Sequence, residues 1–410
     1  DQKANADEKG DDDDEFAAGS EADMLTFALA ADPETFDTAS MSGAPEGRSA
    51  MQIFEGLLMP GPTTEGIEDS SKLIRPGVAK SYKVSDDGKT YTFKIREDAK
   101  WSNGDALTAD DFVFSWRRVL TPSTAADYAS LMLLIEGAED YYNALQKAEE
   151  EEKEVDADTL WKDVGIKALD EQTLEVTLIN PTPYFPELVA FYTFFPTPQK
   201  VIEEHGDDWT KPANIVTNGA YKLDDYQPQK HIIFAKNDQY WDKDNVSIEK
   251  AKARIIPDRT AVVNAYRAEK LHWSGAGLPV SQISSLVSHP DYRRDPMLGT
   301  YYFRVNVSDE ESPLADPRVR KALSMSVDRK NLVDNALNGL YEPATSYVPA
   351  SMAAFESTTE TNFSPKKAKD LLAEAGYGKD GEEFPKVALL YNTDENHKLV
   401  AEAVQSMWQR

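Results

Sequence analysis

KPANIVTNGAYKLDDYQPQKHIIFAKNDQYWD, Lys211–Asp242, decides how the rest of the chain is read. Asn218-Gly219 is a turn signal, because glycine accepts positive φ and asparagine nearly does. Two short runs of strand formers, Ala220–Leu223 and His231–Ala235, flank a polar turn at Asp224–Gln229. Tyr240 and Trp241 close the unit. The residues alone predict a hairpin that finishes a domain.

Working outward, Met24–Ala30 predicts a first strand, and Ala50–Leu58 carries apolar residues at helical spacing before the breaker Met59-Pro60-Gly61-Pro62. Asp87-Gly88 predicts a hairpin in which Tyr91, Phe93 and Ile95 face a core. Thr108–Leu120 predicts a helix, with Thr108 as cap, Asp110 and Asp111 at its positive end, and Phe112, Trp116 and Val119 on one face. Gly165–Ile179 predicts a second hairpin turning at Asp170–Gln172. Pro181–Pro198 is dense in aromatics and proline. It reads first as a structural strand, with the wall of an apolar cleft as the alternative. Further on, Arg254–Ile256 and Asp295–Val307 predict strands. Arg259–Arg267 and the segments after Asp316-Pro317 and Ser364-Pro365 predict helices. Val387–Tyr391 predicts a buried strand, and Val400, Ala403, Val404 and Met407 mark a last helix.

At 410 residues the chain has material for two or three domains. No window approaches 18 consecutive apolar residues, so no membrane-spanning helix is expected. Cysteine is absent, which excludes disulfides and thiolate zinc sites. Lys and Arg number 44 against 72 Asp and Glu, a net charge of −28. That field repels nucleic acid and anionic membranes and attracts cations, although solubility alone would also explain it. Residues 1–23 hold ten acids, two bases and almost nothing apolar, so a disordered segment is expected.

Signals for catalysis are missing. The five histidines, His205, His231, His272, His289 and His397, make no H-E-x-x-H zinc motif. G-x-S-x-G, P-loop and dinucleotide fingerprints are absent too. Ser364-Pro365-Lys366-Lys367 fits S-x-x-K only in form, at a capped helix start. No catalytic residue, metal ligand or cofactor is expected.

PANIVTNGAYKL followed by NDQYWD resembles the signature region of the extracytoplasmic oligopeptide-binding proteins of bacterial ABC importers, solute-binding protein family 5. FEGLL (Phe54–Leu58), RPGVAKSY (Arg75–Tyr82), YTFKIREDAKWSNGDALTADDFVFSWRR (Tyr91–Arg118), Tyr266-Arg267, DPRVRKALSMSVDR (Asp316–Arg329) and LLAEAGY (Leu371–Tyr377) agree in the same order. The match runs from about residue 25 to the last residue.

The resemblance implies an α/β, two-lobed periplasmic-binding-protein-like fold of type II with an extra inserted domain. It implies a core domain of the first lobe from residues 24–54 and 199–298, an inserted domain from 55–198, and a second lobe from 299. Relatives continue beyond the point where this sequence stops, so the C-terminal part of the second lobe is expected to be missing. With it goes the Trp-containing motif whose aspartate pairs with the peptide ammonium. The implied mechanism is hinge closure over an extended peptide held by its backbone, as in strand addition.

Residue by residue, the resemblance implies peptide contacts at Ser42, Gly43, Ala44, Tyr128, Phe191, Gly275, Met297 and Tyr302. Ser42 stands where well-studied relatives carry an acid, Gly275 and Met297 where they carry tyrosines, and Phe191 where they carry a histidine. More room at Gly275 and a more apolar wall at Phe191 and Met297 follow. Tyr128 and Tyr302 read equally as core tyrosines. The implied partners are oligopeptides and ABC permease subunits, with no nucleic acid. The implied protein is a monomeric lipoprotein that meets the membrane only through its lipid anchor, with residues 1–23 as tether. A receptor for one peptide signal and a binder of haem, nickel or another small ligand remain open on the same fold. A hydrolase has no specific support.

Overall fold

The computed structural model describes residues 24–61, 74–275, 277–295, 297, 299–349, 352, 355, 357–358, 361–378 and 381–410. The expected disordered tether, 1–23, lies outside the described residues. The chain divides into two compact units, Asp1–Ala276 and Gly277–Arg410. This boundary falls ahead of residue 299, where sequence analysis puts it.

The first unit opens with β1 (Met24–Leu29) and α1 (Ala44–Ile53). A short ladder joins β2 (Leu58–Pro60) to β3 (Ile74–Pro76). Then come β4 (Ala79–Val84), β5 (Thr90–Ile95), α2 (Ala109–Val119), β6 (Ile166–Asp170) and β7 (Thr173–Thr177). The last strands are β8 (Tyr221–Gln227), β9 (His231–Lys236) and β10 (Lys250–Ile255). One four-stranded sheet has the order β1-β10-β9-β8, with β1 parallel to β10 and the other pairs antiparallel. A second sheet, β4-β5-β7-β6, is antiparallel throughout and is completed before the chain returns to the first.

The local rules explain these elements. Tyr91, Phe93 and Ile95 are buried along β5, and Leu174 and Val176 along β7, as period-2 alternation demands. Asp87-Gly88 turns with Gly88 at φ 73°. At the start of α2 the Asp111 carboxylate accepts from the Thr108 N–H at 2.8 Å and from its hydroxyl at 3.2 Å. Phe112, Trp116 and Val119 are buried on one face of α2, and the Trp116 indole donates to the Phe194 carbonyl at 2.9 Å. The Pro- and aromatic-rich segment 181–198 is no strand: short helical turns at Phe185–Leu188 and Tyr192–Phe194 bury Phe185, Phe194 and Phe195.

The signature stretch folds as a hairpin, but its first strand runs through Gln227, with an irregularity between Leu223 and Asp225. Gly219 is not in the left-handed region that the Asn-Gly reading assumed. A Cβ there would lie 2.6 Å from the Ile53 carbonyl carbon and 2.7 Å from the Phe54 nitrogen. Glycine is needed because two backbones meet. The Gly219 N–H donates to the Ile53 carbonyl at 2.8 Å. The buried Asn218 amide acts as a surrogate peptide group: its oxygen accepts from the Glu55 N–H at 3.1 Å and its nitrogen donates to the Glu55 carbonyl at 2.8 Å. The Glu55 carboxylate, 2% exposed, accepts from the Tyr240 hydroxyl at 2.7 Å and the Trp241 indole at 2.6 Å. Arg96 lies over the Trp241 ring, 3.6 Å from its centre.

The second unit is helical among its described residues. Val280, Val327, Leu332, Val333, Leu337, Val400 and Val404 form its main core. The last helix, Glu395–Trp408, carries the expected stripe and is capped by Asp394. Two expected strands do not form. Asp295–Val307 and Val387–Tyr391 make no ladder among the described residues, because a strand exists only through a neighbour. Their two-residue alternation is still visible. Phe303 and Leu389 pack on the core, while Tyr302 is half exposed and Leu390 is 93% exposed.

Two predictions follow from the junction at Glu55. Gly219→Ala must push two backbones apart, so it should destabilise by about 3 kcal/mol, the upper range for overpacking. Chemical denaturation measures this, and a loss near zero would show that the junction yields. Burial raises the Glu55 pKa above its ordinary 4.5, against the opposing hydrogen bonds of Trp241 and Tyr240 and the charges of Arg75 and Arg96. A raised folded pKa means that the folded state holds the proton longer. This contribution is full below pH 4.5 and declines as pH rises through the folded value. The stability of wild type minus that of Glu55→Gln should therefore shrink from pH 4 toward pH 8. A difference independent of pH would mean that Glu55 does not titrate in this window.

Candidate functional site

The first unit gathers six of the eight expected contact residues around the start of α1. Asp37 anchors the approach: both of its carboxylate oxygens accept from the Arg118 guanidinium, at 2.8 and 2.5 Å. That bidentate pair is mostly buried, which fixes its geometry. Loop residues Ser42 and Gly43 then lead into Ala44 and Pro45, with proline at the second helical position, where no N–H is missed. Ser42 and Ala44 are exposed.

Glu46 shapes this turn from below. It is 4% exposed, and its Oε1 accepts from the Glu34 N–H at 2.6 Å. A Cβ on Gly43 would fall 2.0 Å from its Oε2, so a larger residue there would have to displace the Glu46 carboxylate. From the inserted segment, the Tyr128 hydroxyl donates to the Ser42 carbonyl at 3.2 Å. The Phe191 ring meets Tyr128 edge-on at 5.2 Å and lies 4.1 Å from Tyr192. Burial, and then the neighbouring Tyr128, push the Tyr192 phenol well above its ordinary range, so it stays protonated. Tyr128 and Phe191 are half-buried, with one side against this cluster and one toward solvent.

Gly275 joins through Arg48, whose guanidinium donates to its carbonyl. The sequence reading gave Gly275 the role of making room. The backbone supplies another reason: φ is 60°, and a Cβ would lie 2.1 Å from the Ala28 carbonyl oxygen. Neither Arg48 nor Glu46 was singled out from sequence. The contact of Arg48 spans 227 residues and leaves no local signal. Trp273, 54% exposed and 5.7 Å from Phe27, was also passed over. The signal available in the sequence was a tryptophan at the head of the small-residue run Ser274-Gly275-Ala276-Gly277.

The other two expected residues belong to the second unit. Met297 is 81% exposed. Tyr302 is half exposed and edge-on to Tyr347 at 5.2 Å. Among the described residues, no group of three or more His, Asp or Glu side chains is placed to hold a metal ion. No helix among them is long and apolar enough to cross a membrane.

A two-unit α/β chain with aromatic side chains and exposed loop backbone at a helix start has the makings of a binding protein. The chain belongs to the bacterial extracellular solute-binding proteins, family 5, whose middle-region model matches residues 74–410. It is 35% identical over 398 residues to the oligopeptide-binding protein OppA of Bacillus subtilis strain 168, covering 94% of this chain and 68% of that one. Among solved structures it is similar to the oligopeptide-binding protein OppAIV of Borrelia burgdorferi, with TM-score 0.83, 30% identity, and coverage of 94% of this chain and 73% of that one. OppA of Haemophilus influenzae, solved with the peptide RPPGFSPFR, gives TM-score 0.80, 35% identity and the same coverage. The fold class expected from sequence, α/β and two-lobed, is the class of these structures. The chain spans about two thirds of the length of its curated relative.

Gly275→Ala separates the two readings of that position. Left-handed backbone and the clash at Ala28 should cost about 2–4 kcal/mol of stability. An alanine tolerated within 0.5 kcal/mol, with altered ligand binding, would return Gly275 to a space-making role.

Proposed function

We propose that this protein is an extracytoplasmic substrate-binding protein that captures oligopeptides and delivers them to the permease subunits of an ABC importer. The observation that carries this reading is the convergence of Ser42, Gly43, Ala44, Tyr128, Phe191 and Gly275 on α1. It occurs in a chain similar over 94% of its length to an oligopeptide-binding protein. These residues offer backbone groups and aromatic faces rather than a nucleophile or a paired acid and base, which suits binding without chemistry.

The residue roles follow from that reading. Ser42 and Gly43 present backbone to an extended peptide, and Tyr128 holds the Ser42 carbonyl in place. Phe191 and Met297 supply apolar walls, and Tyr302 contributes from the second unit. Backbone pairing is blind to side chains, so tolerance of sequence is expected, with water filling the side-chain pockets. The same reading divides the chain into a core domain, 24–54 and 199–298, an inserted domain, 55–198, and a second lobe from 299. The pairing of β1 with β10 across the inserted sheet supports it. It also makes the protein a monomer held at the cell membrane by a lipid, with the acidic residues 1–23 as spacer.

Calorimetry with peptides of two to ten residues, and recovery of bound peptides from a mixed library by mass spectrometry, test this. Intact peptides of varied sequence are expected, with affinity near micromolar, about −8 kcal/mol. A mild preference for cationic peptides should fade as salt rises, since screening acts within about 8 Å at physiological ionic strength. Fragments in place of intact peptides would indicate an enzyme. Binding of haem or a metal with no peptide signal would also overturn the reading.

A further inference from the structure

Glu46 lies in the first turn of α1, two residues after Ala44, and is 4% exposed. Burying a carboxylate costs free energy unless its oxygens find donors. Its Oε1 finds one, the Glu34 N–H at 2.6 Å. Its Oε2 has no hydrogen-bond partner among the described residues. A buried oxygen left in this way calls for an explanation. Its position supplies one: it stands 2.0 Å from where a Cβ on Gly43 would be. The carboxylate fills the space beneath Gly43 that a side chain would take. The segment around Glu34 is tethered in turn. Two residues earlier, both oxygens of the Asp32 carboxylate accept from the Gln229 N–H at 3.0 Å, and one accepts from the Tyr226 hydroxyl at 3.3 Å. Gln229 sits in the turn between β8 and β9, at φ 64°. A path of contacts therefore runs from the signature hairpin through Asp32, Glu34 and Glu46 to Gly43. On the other side of the loop, the Tyr128 hydroxyl holds the Ser42 carbonyl at 3.2 Å. The Tyr192 ring lies against the same turn of α1, 3.0 Å from where a Cβ on Gly47 would be.

We propose that Glu46 is a positioning residue for ligand capture: from beneath the loop, its carboxylate holds Ser42–Ala44 in the shape that presents backbone to a peptide. The proposal rests on the peptide-binding reading and adds to it the part that orders the loop before the ligand arrives. A loop that must be ordered on binding loses affinity to that ordering, and a loop fixed in advance does not. A methyl group at position 43 would push the carboxylate away. The displaced carboxylate would then release the Glu34 N–H, and with it the tie to the hairpin. Positions 43 and 46 are therefore coupled in binding as well as in packing.

A double-mutant cycle read by affinity tests this. Pentaalanine and trilysine are titrated calorimetrically into wild type, Gly43→Ala, Glu46→Asp and the double variant. Thermal melts followed by circular dichroism fix a temperature at which all four are folded. Affinity measured there does not register lost global stability, so it isolates positioning. Gly43→Ala should bind about tenfold more weakly than wild type, and Glu46→Asp about fivefold, because the shorter side chain gives up the Glu34 bond. The double variant should bind no more weakly than Glu46→Asp alone, since a carboxylate withdrawn by one methylene leaves room for the methyl group. If the double variant does not melt cooperatively, Gly43→Ala with Glu46→Ala replaces it under the same expectation. Losses that multiply, to about fiftyfold in the double variant, overturn the coupling. So does Gly43→Ala binding as tightly as wild type. Either result leaves peptide capture standing. A wild type that binds neither probe overturns the peptide-binding reading and the proposal with it.

Discussion

The junction of Asn218 with Glu55 carries the first unit. An extended backbone leaves α1 at Phe54 and needs partners for its buried polar groups. It finds them in the Asn218 amide, which bonds both the N–H and the carbonyl of Glu55. A side chain thus does the work of a strand neighbour where the approach of Gly219 leaves no space for a Cβ. The Glu55 carboxylate is held beneath by Tyr240 and Trp241, from the far end of the same signature stretch. Both ends of Lys211–Asp242 therefore grip the C-terminal end of α1. The opposite end of that helix carries Ser42–Ala44, so fixing the junction fixes the orientation of the candidate site.

Much of this was legible in the sequence. Alternation along β5 and β7 and the apolar face of α2 report burial directly, since period and exposure are local properties. The resemblance supplied Tyr128 and Phe191, whose edge-on contact no periodicity could give. Three things were not legible. Gly219 and Gly275 look like glycines for turns or for space, yet each is required by another backbone, contributed by Ile53–Phe54 and by Ala28. Glu46 and Arg48 carry no local signal, and only the fold brings Glu34 and Gly275 to them. Asp295–Val307 and Val387–Tyr391 have the composition of strands. Composition fixes which side chains face the core, as Phe303 and Leu389 do, but pairing requires a neighbour that no local rule supplies.

Around α1 the exposed features are the backbone of Ser42–Ala44 and half-buried aromatic faces, which accept any sequence that lies extended. The charges nearby are engaged inside the protein: both Asp37 carboxylate oxygens with Arg118, Glu46 with the Glu34 N–H, and Arg48 with the Gly275 carbonyl. Charge placed in this way fixes the loop and does not select among ligands. A site built around buried charge pairs with its ligand would select sharply, because each mismatch would leave a desolvated ion unpaired.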